Sequence, residues 1–198
     1  MLVCEVMTTP VLTVPREWTA KQAVRLLYER DITAAPVVDD VGKMIGIVSE
    51  MDLLRGEFEA DPRAYLGPAA EAESPPPAVV EDVMTPHVRT IRETDDVLNL
   101  VELMITTGVK SVPVTRDSEL AGIVSRRDLM GILAHGDERI RDDVLTALRE
   151  LSAETAATRV AVHDGVVELS DDTDPRSARI ADVIARTVPG VVRVAHHR

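Results

Sequence analysis

The chain has 198 residues, of which 45% are hydrophobic and only 2% aromatic, and its formal net charge is −12. This length suits one large domain or two small ones, and the core must consist of aliphatic side chains and methionine. The acidic balance provides no general attraction to nucleic-acid phosphates or anionic lipids, so neither is an expected partner.

Three further features narrow the class of protein. The single Cys4 has no second cysteine for an internal disulfide or a zinc cluster. The sequence has no apolar run long enough for a membrane span, and Met1–Pro10 lacks the basic-then-apolar layout of a signal peptide. We therefore expect a cytoplasmic protein.

The first two thirds of the sequence contain an internal duplication. Three motifs recur in the same order, with a single one-residue gap between the copies: Met7-Thr8 as Met84-Thr85, Pro36-Val37 as Pro113-Val114, and Gly46–Asp52 as Gly122–Asp128. Ordered identities over this distance indicate two copies of one structural unit.

Each copy predicts the element order β-α-β-β-α. Apolar residues with helical spacing predict the first helix of each copy: Ala20, Ala23, Val24 and Leu27, and then Val97, Leu100, Val101 and Met104. Thr19 with Gln22 fits a capping box, and Asp96 is a suitable N-cap. Two β-rich runs follow in each copy, at 35–38 and 44–48 and at 111–115 and 120–124. A second helix is expected after each pair, capped by Ser49 or Ser125.

The two copies are joined by a linker and followed by a different unit. Residues 61–78 carry five prolines among Ala, Glu and Ser, a composition typical of a semi-rigid linker. The tail predicts a helix over 137–151, strands at 159–163 and 166–169 around the turn Asp164-Gly165, a helix over 176–187 and a strand at 191–194. The predicted domains are 1–60, 79–135 and 137–198.

The duplicated motifs resemble tandem cystathionine β-synthase type (CBS) domains over residues 1–135. The resemblance implies a Bateman module, in which two units pack through their sheets, leave two clefts for AMP, ADP, ATP or another adenosyl compound, and commonly form a homodimer. The tail resembles a BON domain through Val160–Ser170 and Val188–Val194, although Asp171 stands where that family usually has glycine. The predicted fold class is α/β (α+β), with two CBS units and a small BON-like domain.

The resemblance and the local chemistry together give the candidate binding residues. An aspartate three residues after a helix-capping serine can accept both ribose hydroxyls, and the serine hydroxyl with free helix N–H groups can meet a phosphate. Adenine needs an apolar slot edged by backbone donors and acceptors. The candidate nucleotide-binding residues are Thr8, Thr13, Ile32, Thr33, Ala34, Pro36, Ser49, Asp52, Thr85, Thr90, Val109, Lys110, Ser111, Pro113, Ser125, Arg126, Arg127 and Asp128.

The two clefts are not expected to be equal. Arg126 and Arg127 stand where the first copy has Glu50 and Met51, and guanidinium groups pair well with phosphate oxygens. An anionic ligand is therefore expected to prefer the Asp128 cleft and to leave the other weak or empty.

The leading functional hypothesis is an energy-sensing regulatory module that changes conformation or partner contacts when it binds an adenine nucleotide. Its output would pass through an unidentified protein partner or through the tail. The alternative is a structural or interaction protein with vestigial clefts, whose BON-like tail mediates partner or envelope association. An enzyme is not expected, because the sequence shows no nucleophile–base arrangement and no metal-ligand spacing; no catalytic residue, metal or cofactor is assigned.

Overall fold

The computed structural model describes residues 1–55, 79–151, 158–170 and 175–197. The predicted linker at 61–78 lies outside the described residues. The first repeat contains five elements in chain order: β1 (Val14–Pro15), α1 (Ala20–Glu29), β2 (Ala34–Val38), β3 (Met44–Ser49) and α2 (Glu50–Leu54).

The second repeat has the same order after one additional short helix: α3 (Val80–Val83), β4 (Ile91–Arg92), α4 (Val97–Thr107), β5 (Ser111–Arg116), β6 (Glu119–Ser125) and α5 (Arg126–Leu133). In each repeat the first strand is parallel to the second, and the second is antiparallel to the third. The predicted order β-α-β-β-α is therefore confirmed in both copies.

The local signals for the first helix of each repeat are also confirmed. Thr19 Oγ1 accepts a hydrogen bond from Gln22 N, and Gln22 Oε1 accepts one from Thr19 N at 2.9 Å. Asp96 caps α4 by accepting from Leu98 N at 2.8 Å. These bonds satisfy backbone donors that the first turn of a helix leaves free.

The Pro-Val motif has a structural explanation. Pro36 and Pro113 are buried in the middle strands β2 and β5, opposite Ile47 and Ile123. Both isoleucines direct their backbone N–H and C=O away from the proline, to Thr85 and Thr8 respectively. The parallel pairing with β1 or β4 begins one residue after each proline, at Val37 and Val114. Each proline therefore occupies a position where the sheet needs no N–H donor.

The segment that precedes each repeat packs on the other repeat. Thr8 forms an antiparallel bridge with Ile123, and Thr85 forms one with Ile47. Val3, in a 3₁₀ turn at Val3–Glu5, is buried in the core of the second repeat, whereas Val80 of α3 is buried in the core of the first. The packing thus crosses the boundary between residues 1–60 and 79–135.

The third unit contains α6 (Asp137–Leu151), β7 (Arg159–His163), β8 (Val166–Ser170), α7 (Pro175–Thr187) and β9 (Arg193–His197). Its sheet has the order β7-β8-β9, with β8 antiparallel to β7 and parallel to β9. The last strand begins at Arg193 instead of the predicted residue 191, because Val191 N bonds to Val188 O and Val192 N bonds to Gly165 O. Within the described residues, no helix combines the length and the apolar character needed to cross a bilayer.

Candidate functional site

The serine and the aspartate of each duplicated motif lie together at a helix start. Ser49 ends β3, and its backbone N donates to Asp52 Oδ2 at 2.9 Å while its hydroxyl donates to the same oxygen at 2.6 Å. In the second repeat Ser125 makes the equivalent bonds to Asp128 Oδ2, at 2.7 and 2.8 Å. Both pairs form capping boxes, so the ordinary structural role of the motif is fulfilled.

The capping boxes leave part of each carboxylate available. The hydrogen bonds that involve the two carboxylates end on Oδ2, and within the described residues the Oδ1 atoms of Asp52 and Asp128 accept none. Both aspartates are half-buried. A carboxylate oxygen fixed in this way can accept hydrogen bonds from the hydroxyls of a ligand without loss of the helix cap.

Each of these aspartates lines a cavity. Cleft 1, the cavity at Asp52, has a volume of about 300 Å³ and is lined by Thr33, Ala34, Ile47, Ser49, Glu50, Met51, Asp52, Thr85, His87, Val88, Arg89, Gly108, Val109, Lys110 and Ser111. Cleft 2, the cavity at Asp128, has a volume of about 280 Å³ and is lined by Thr8, Asp31, Ile32, Thr33, Ala34, Lys110, Ser111, Ile123, Ser125, Arg126, Arg127 and Asp128. Both volumes are near the lower end of the range for small-molecule sites.

Both clefts take residues from both repeats. The threonine of each Met-Thr motif lines the cleft of the other repeat's aspartate: Thr85 lies in cleft 1 and Thr8 in cleft 2. This exchange follows from the crossed packing of the segments that precede the repeats. Ile32 lines cleft 2, Val109 lines cleft 1, and the predicted slot residues Thr33, Ala34, Lys110 and Ser111 line both.

Four of the candidate residues lie outside the linings of both clefts. Pro36 and Pro113 are buried inside their sheets, as described above. Thr13 and Thr90 come directly before β1 and β4, and these strands pair with the far ends of β2 and β5, at Val37 and Val114. The clefts lie at the opposite ends of those strands, where Ala34 pairs with Ser49 and Ser111 with Ser125. Neither cleft lining includes these four residues, and their contact with a ligand stays a prediction.

The two arginines predicted to bind phosphate already have partners. Arg126 donates through Nη2 to Gly108 O at 2.7 Å and through Nε to Val109 O at 3.2 Å. Arg127 Nη1 forms an ion pair with Asp31 Oδ2 of the first repeat at 2.7 Å. The side chains of Arg127 and Asp31 are 76% and 82% exposed, so this pair is held only weakly.

Cleft 1 contains two basic residues that sequence reasoning missed. His87 and Arg89 follow the second Met-Thr motif and are exposed at the cleft. Within the described residues, neither side chain has a hydrogen bond or an ion pair. Alignment of the two copies contains the signal, because Pro10 and Leu12 occupy the equivalent positions in the first copy. Among the described residues, no group of three or more His, Cys, Asp or Glu side chains could hold a metal ion.

Comparison with known proteins agrees with this architecture. The sequence model for the CBS domain matches residues 3–59 and 80–135, which together make up more than half of the chain. The chain therefore belongs to the CBS domain family. The matched segments end at residue 135, so the third unit lies outside them.

Several curated proteins are similar to part of the chain. An uncharacterized 17.7 kDa protein of Acidianus ambivalens is 27% identical over 128 residues, which cover 64% of this chain and 70% of that protein. In three other curated relatives the matched region spans 22% to 42% of their length.

Two solved structures share the fold of the first two repeats. The CBS domain pair of protein MJ0100, in complex with 5′-methylthioadenosine and S-adenosyl-L-methionine, is 24% identical with a TM-score of 0.55 and covers 67% of this chain and 94% of its own. CBSX2 in complex with AMP is 25% identical with a TM-score of 0.52 and covers 66% of this chain and 93% of its own.

Proposed function

We propose that the CBS pair binds an adenine nucleotide and acts as a regulatory module. One observation carries this proposal. In each repeat, the aspartate of a capping box keeps its Oδ1 free and lines a cavity to which both repeats contribute. The AMP complex of CBSX2, which is 25% identical, supports adenine nucleotides as the ligand class. In this proposal Asp52 and Asp128 hold the ribose, and the apolar residues that line each cleft, including Ala34, hold the base.

We propose cleft 1 as the stronger site for a ligand that carries phosphate, which reverses the expectation from sequence. His87, Arg89 and Lys110 line this cleft, and within the described residues their side chains are uncommitted. A phosphate in cleft 2 must compete with Gly108 O and Val109 O for Arg126 and with Asp31 for Arg127. Glu50 opposes a phosphate in cleft 1, but Asp31 does the same in cleft 2.

A thermal-shift titration with AMP, ADP, ATP and adenosine tests the proposal. A ligand that binds only the folded chain raises its Tm, and the stabilisation grows with the logarithm of one plus the ratio of ligand concentration to Kd. We expect stabilisation of the wild type that is reduced in Asp52→Ala and in Asp128→Ala and lost when the two substitutions are combined. Absence of a shift with every adenine compound would contradict the proposal.

Asp82→Ala is a matched control for the loss of a helix cap. Asp82 accepts a hydrogen bond from Val79 N at the start of α3 at 3.3 Å and lines neither cleft. Its substitution removes the same kind of carboxylate cap, so the Tm of the free protein is expected to fall slightly while the ligand-induced shift is retained.

We propose that the output passes through α5 to the third unit or to a partner. Asp128 lies in the first turn of α5, and three residues, Ala134–Gly136, separate the end of α5 from α6. A ligand that holds Asp128 therefore acts close to this connection. His135 packs directly on the third unit, since a Cβ on Gly190 would lie 3.3 Å from His135 Cβ.

We propose a homodimer formed through the helices of the CBS pair. Large apolar side chains of α4 and α5 are well exposed in the single chain: Leu98, Ile105, Met130 and Leu133. Exposed apolar side chains on two helices of the same repeat support this choice of interface. The alternative function, an interaction protein that acts through a BON-like tail, stays a prediction from the tail sequence.

A further inference from the structure

The two clefts share one wall. Four residues line both cavities: Thr33 and Ala34 from the first repeat, and Lys110 and Ser111 from the second. Each pair belongs to the start of a middle strand, and these starts lie beside the two serine caps because Ala34 pairs with Ser49 and Ser111 pairs with Ser125. A ligand in either cleft therefore contacts the same narrow part of the protein.

Lys110 is the only cationic side chain among these four shared residues. It is exposed, and within the described residues its ammonium group has no hydrogen bond and no ion pair. A lysine side chain is a mobile point charge that turns towards a nearby anion. An ammonium group that turns its three N–H donors towards a phosphate in one cleft has fewer donors left for a phosphate in the other.

The two clefts depend on Lys110 to different degrees. Cleft 1 has His87 and Arg89, which are uncommitted. In cleft 2, Arg126 is bound to backbone carbonyls and Arg127 to Asp31, so Lys110 is the one uncommitted cation among its described lining residues. A phosphate that attracts Lys110 into cleft 1 therefore leaves cleft 2 with only Arg126 and Arg127, which must first give up an existing partner.

We infer that phosphate-bearing ligands bind the two clefts with negative cooperativity, mediated by Lys110 on the shared wall. The inference rests on the proposed function and adds a mode of regulation to it. A phosphate in the first cleft withdraws Lys110 and adds negative charge next to the second cleft, so both effects weaken the second binding event. Adenosine carries no phosphate and is expected to fill the clefts independently. Because linkage is reciprocal, each cleft must weaken the other by the same factor.

Isothermal titration calorimetry with AMP tests the inference through a variant that removes cleft 1. In Asp52→Ala, cleft 2 is expected to bind AMP about tenfold more tightly than it does in the wild type, a factor within the usual range of coupling between sites. If AMP binding is detected only at cleft 1 of the wild type, AMP binding at cleft 2 should become measurable in Asp52→Ala. Asp128→Ala is expected to leave the AMP affinity of cleft 1 unchanged, because cleft 1 is the stronger site and fills while cleft 2 is still empty. Asp52→Asn, which retains an acceptor for the Ser49 cap, serves if the alanine variant does not fold.

Two controls identify the cause of the gain. Adenosine is expected to bind cleft 2 equally in the wild type and in Asp52→Ala. In a Lys110→Met background, the gain for AMP on adding Asp52→Ala should fall to the smaller part that direct phosphate repulsion contributes. In a Lys43→Met background the full gain should be retained, because Lys43 makes the same change of charge outside both clefts.

The outcomes separate this inference from the function on which it rests. Equal AMP affinity of cleft 2 in the wild type and in Asp52→Ala would overturn the cooperativity while nucleotide binding stands. A gain of the same size in the Lys110→Met background as in the wild-type background would overturn the role of Lys110. Failure of the wild type to bind any adenine compound would overturn the proposed function and the inference together.

Discussion

Met84 lies directly over Gly46, so that a Cβ on this glycine would come 2.5 Å from Met84 Sδ and 3.2 Å from the carbonyl oxygen of Thr85. The second repeat repeats the contact, since a Cβ on Gly122 would lie 2.9 Å from Met7 Cγ. The Met-Thr motif of each repeat thus packs on the Gly-Ile-Val motif of the other repeat. The absence of a side chain at each glycine permits the bridge between the threonine and the isoleucine.

Gly46→Ala is expected to destabilise the chain by about 1–3 kcal/mol, because an added methyl group in a closely packed contact forces the neighbours apart. Urea denaturation of the two proteins measures the difference. Gly131→Ala is the matched control: a Cβ there meets nothing within 4 Å, and its place inside α5 makes alanine neutral or slightly stabilising. A neutral Gly46→Ala would show that Met84 moves aside at little cost.

Arg89→Leu gives cleft 1 the residue that the first repeat has at the equivalent position, Leu12. We expect AMP affinity at cleft 1 to fall by about tenfold or more, because a hydrogen bond to a charged group contributes about 1.5–3 kcal/mol. Adenosine affinity should stay constant. Calorimetry with both ligands measures the change, and Arg25→Leu, an exposed substitution on α1 outside both clefts, is the control. An equal loss for AMP and adenosine would mean that Arg89 maintains the shape of the cleft and does not bind phosphate.

Asp31→Asn releases Arg127 from its ion pair and retains a residue type that tolerates the positive φ of 51° at this position. The pair is highly exposed, so stability should change by less than about 1 kcal/mol. AMP affinity at cleft 2, measured in an Asp52→Ala background, should rise a few-fold because Arg127 becomes available. Asp40→Asn removes an exposed partner of Arg16 away from the clefts and should leave this affinity unchanged. A fall in affinity with Asp31→Asn would indicate that Asp31 itself contacts the ligand.

Asp137 makes the stability of the third unit depend on pH. Its carboxylate accepts hydrogen bonds from the backbone N–H groups of Gly165, at 3.0 Å, and Asp164, at 2.9 Å, and these bonds lower the pKa of the Asp137 carboxyl below its usual range. The folded state therefore binds this proton more weakly than the unfolded state, in which the pKa is about 3.9. The stabilisation is present above that value and is lost as the pH falls through the lower pKa of the folded state.

Asp137→Asn is consequently expected to be less stable than the wild type at pH 7, with a difference that decreases below about pH 4. Chemical denaturation of both proteins between pH 7 and pH 3 measures this difference. Asp142→Asn, on the exposed face of the same helix, should show a smaller effect. A difference for Asp137→Asn that is the same at every pH would assign its effect to packing and not to the carboxylate charge.

The elements of both repeats could be predicted because their signals are local. The spacing of Ala20, Ala23 and Leu27 and the cap at Thr19 depend on neighbouring residues alone, and the structure confirms them. The partner of a Met-Thr segment could not be predicted. Both copies carry the same Met-Thr motif, so the sequence does not indicate whether each segment packs on its own repeat or on the other one.

The candidate site shows the same limit. Ser49 and Asp52 are three residues apart, and a helix start is sufficient to bring them together. Arg127, by contrast, pairs with Asp31 of the other repeat, and no spacing indicates a contact over that separation. His87 and Arg89 enter cleft 1 only because Thr85 bridges to Ile47. The placement of His87 and Arg89 and the Arg127–Asp31 pair therefore depend on tertiary contacts between repeats that no local sequence pattern indicates.

The exchange of Val3 and Val80 between the two cores has a consequence for any attempt to divide the chain. A cut between residues 55 and 79 would leave Val3 on the first fragment, although it packs in the core of the second repeat. Val80 would stay on the second fragment, although it packs in the core of the first repeat. Neither fragment is expected to fold alone, but mixed in equal amounts they should reassociate and regain both cavities. We therefore expect the two repeats to fold as one cooperative unit.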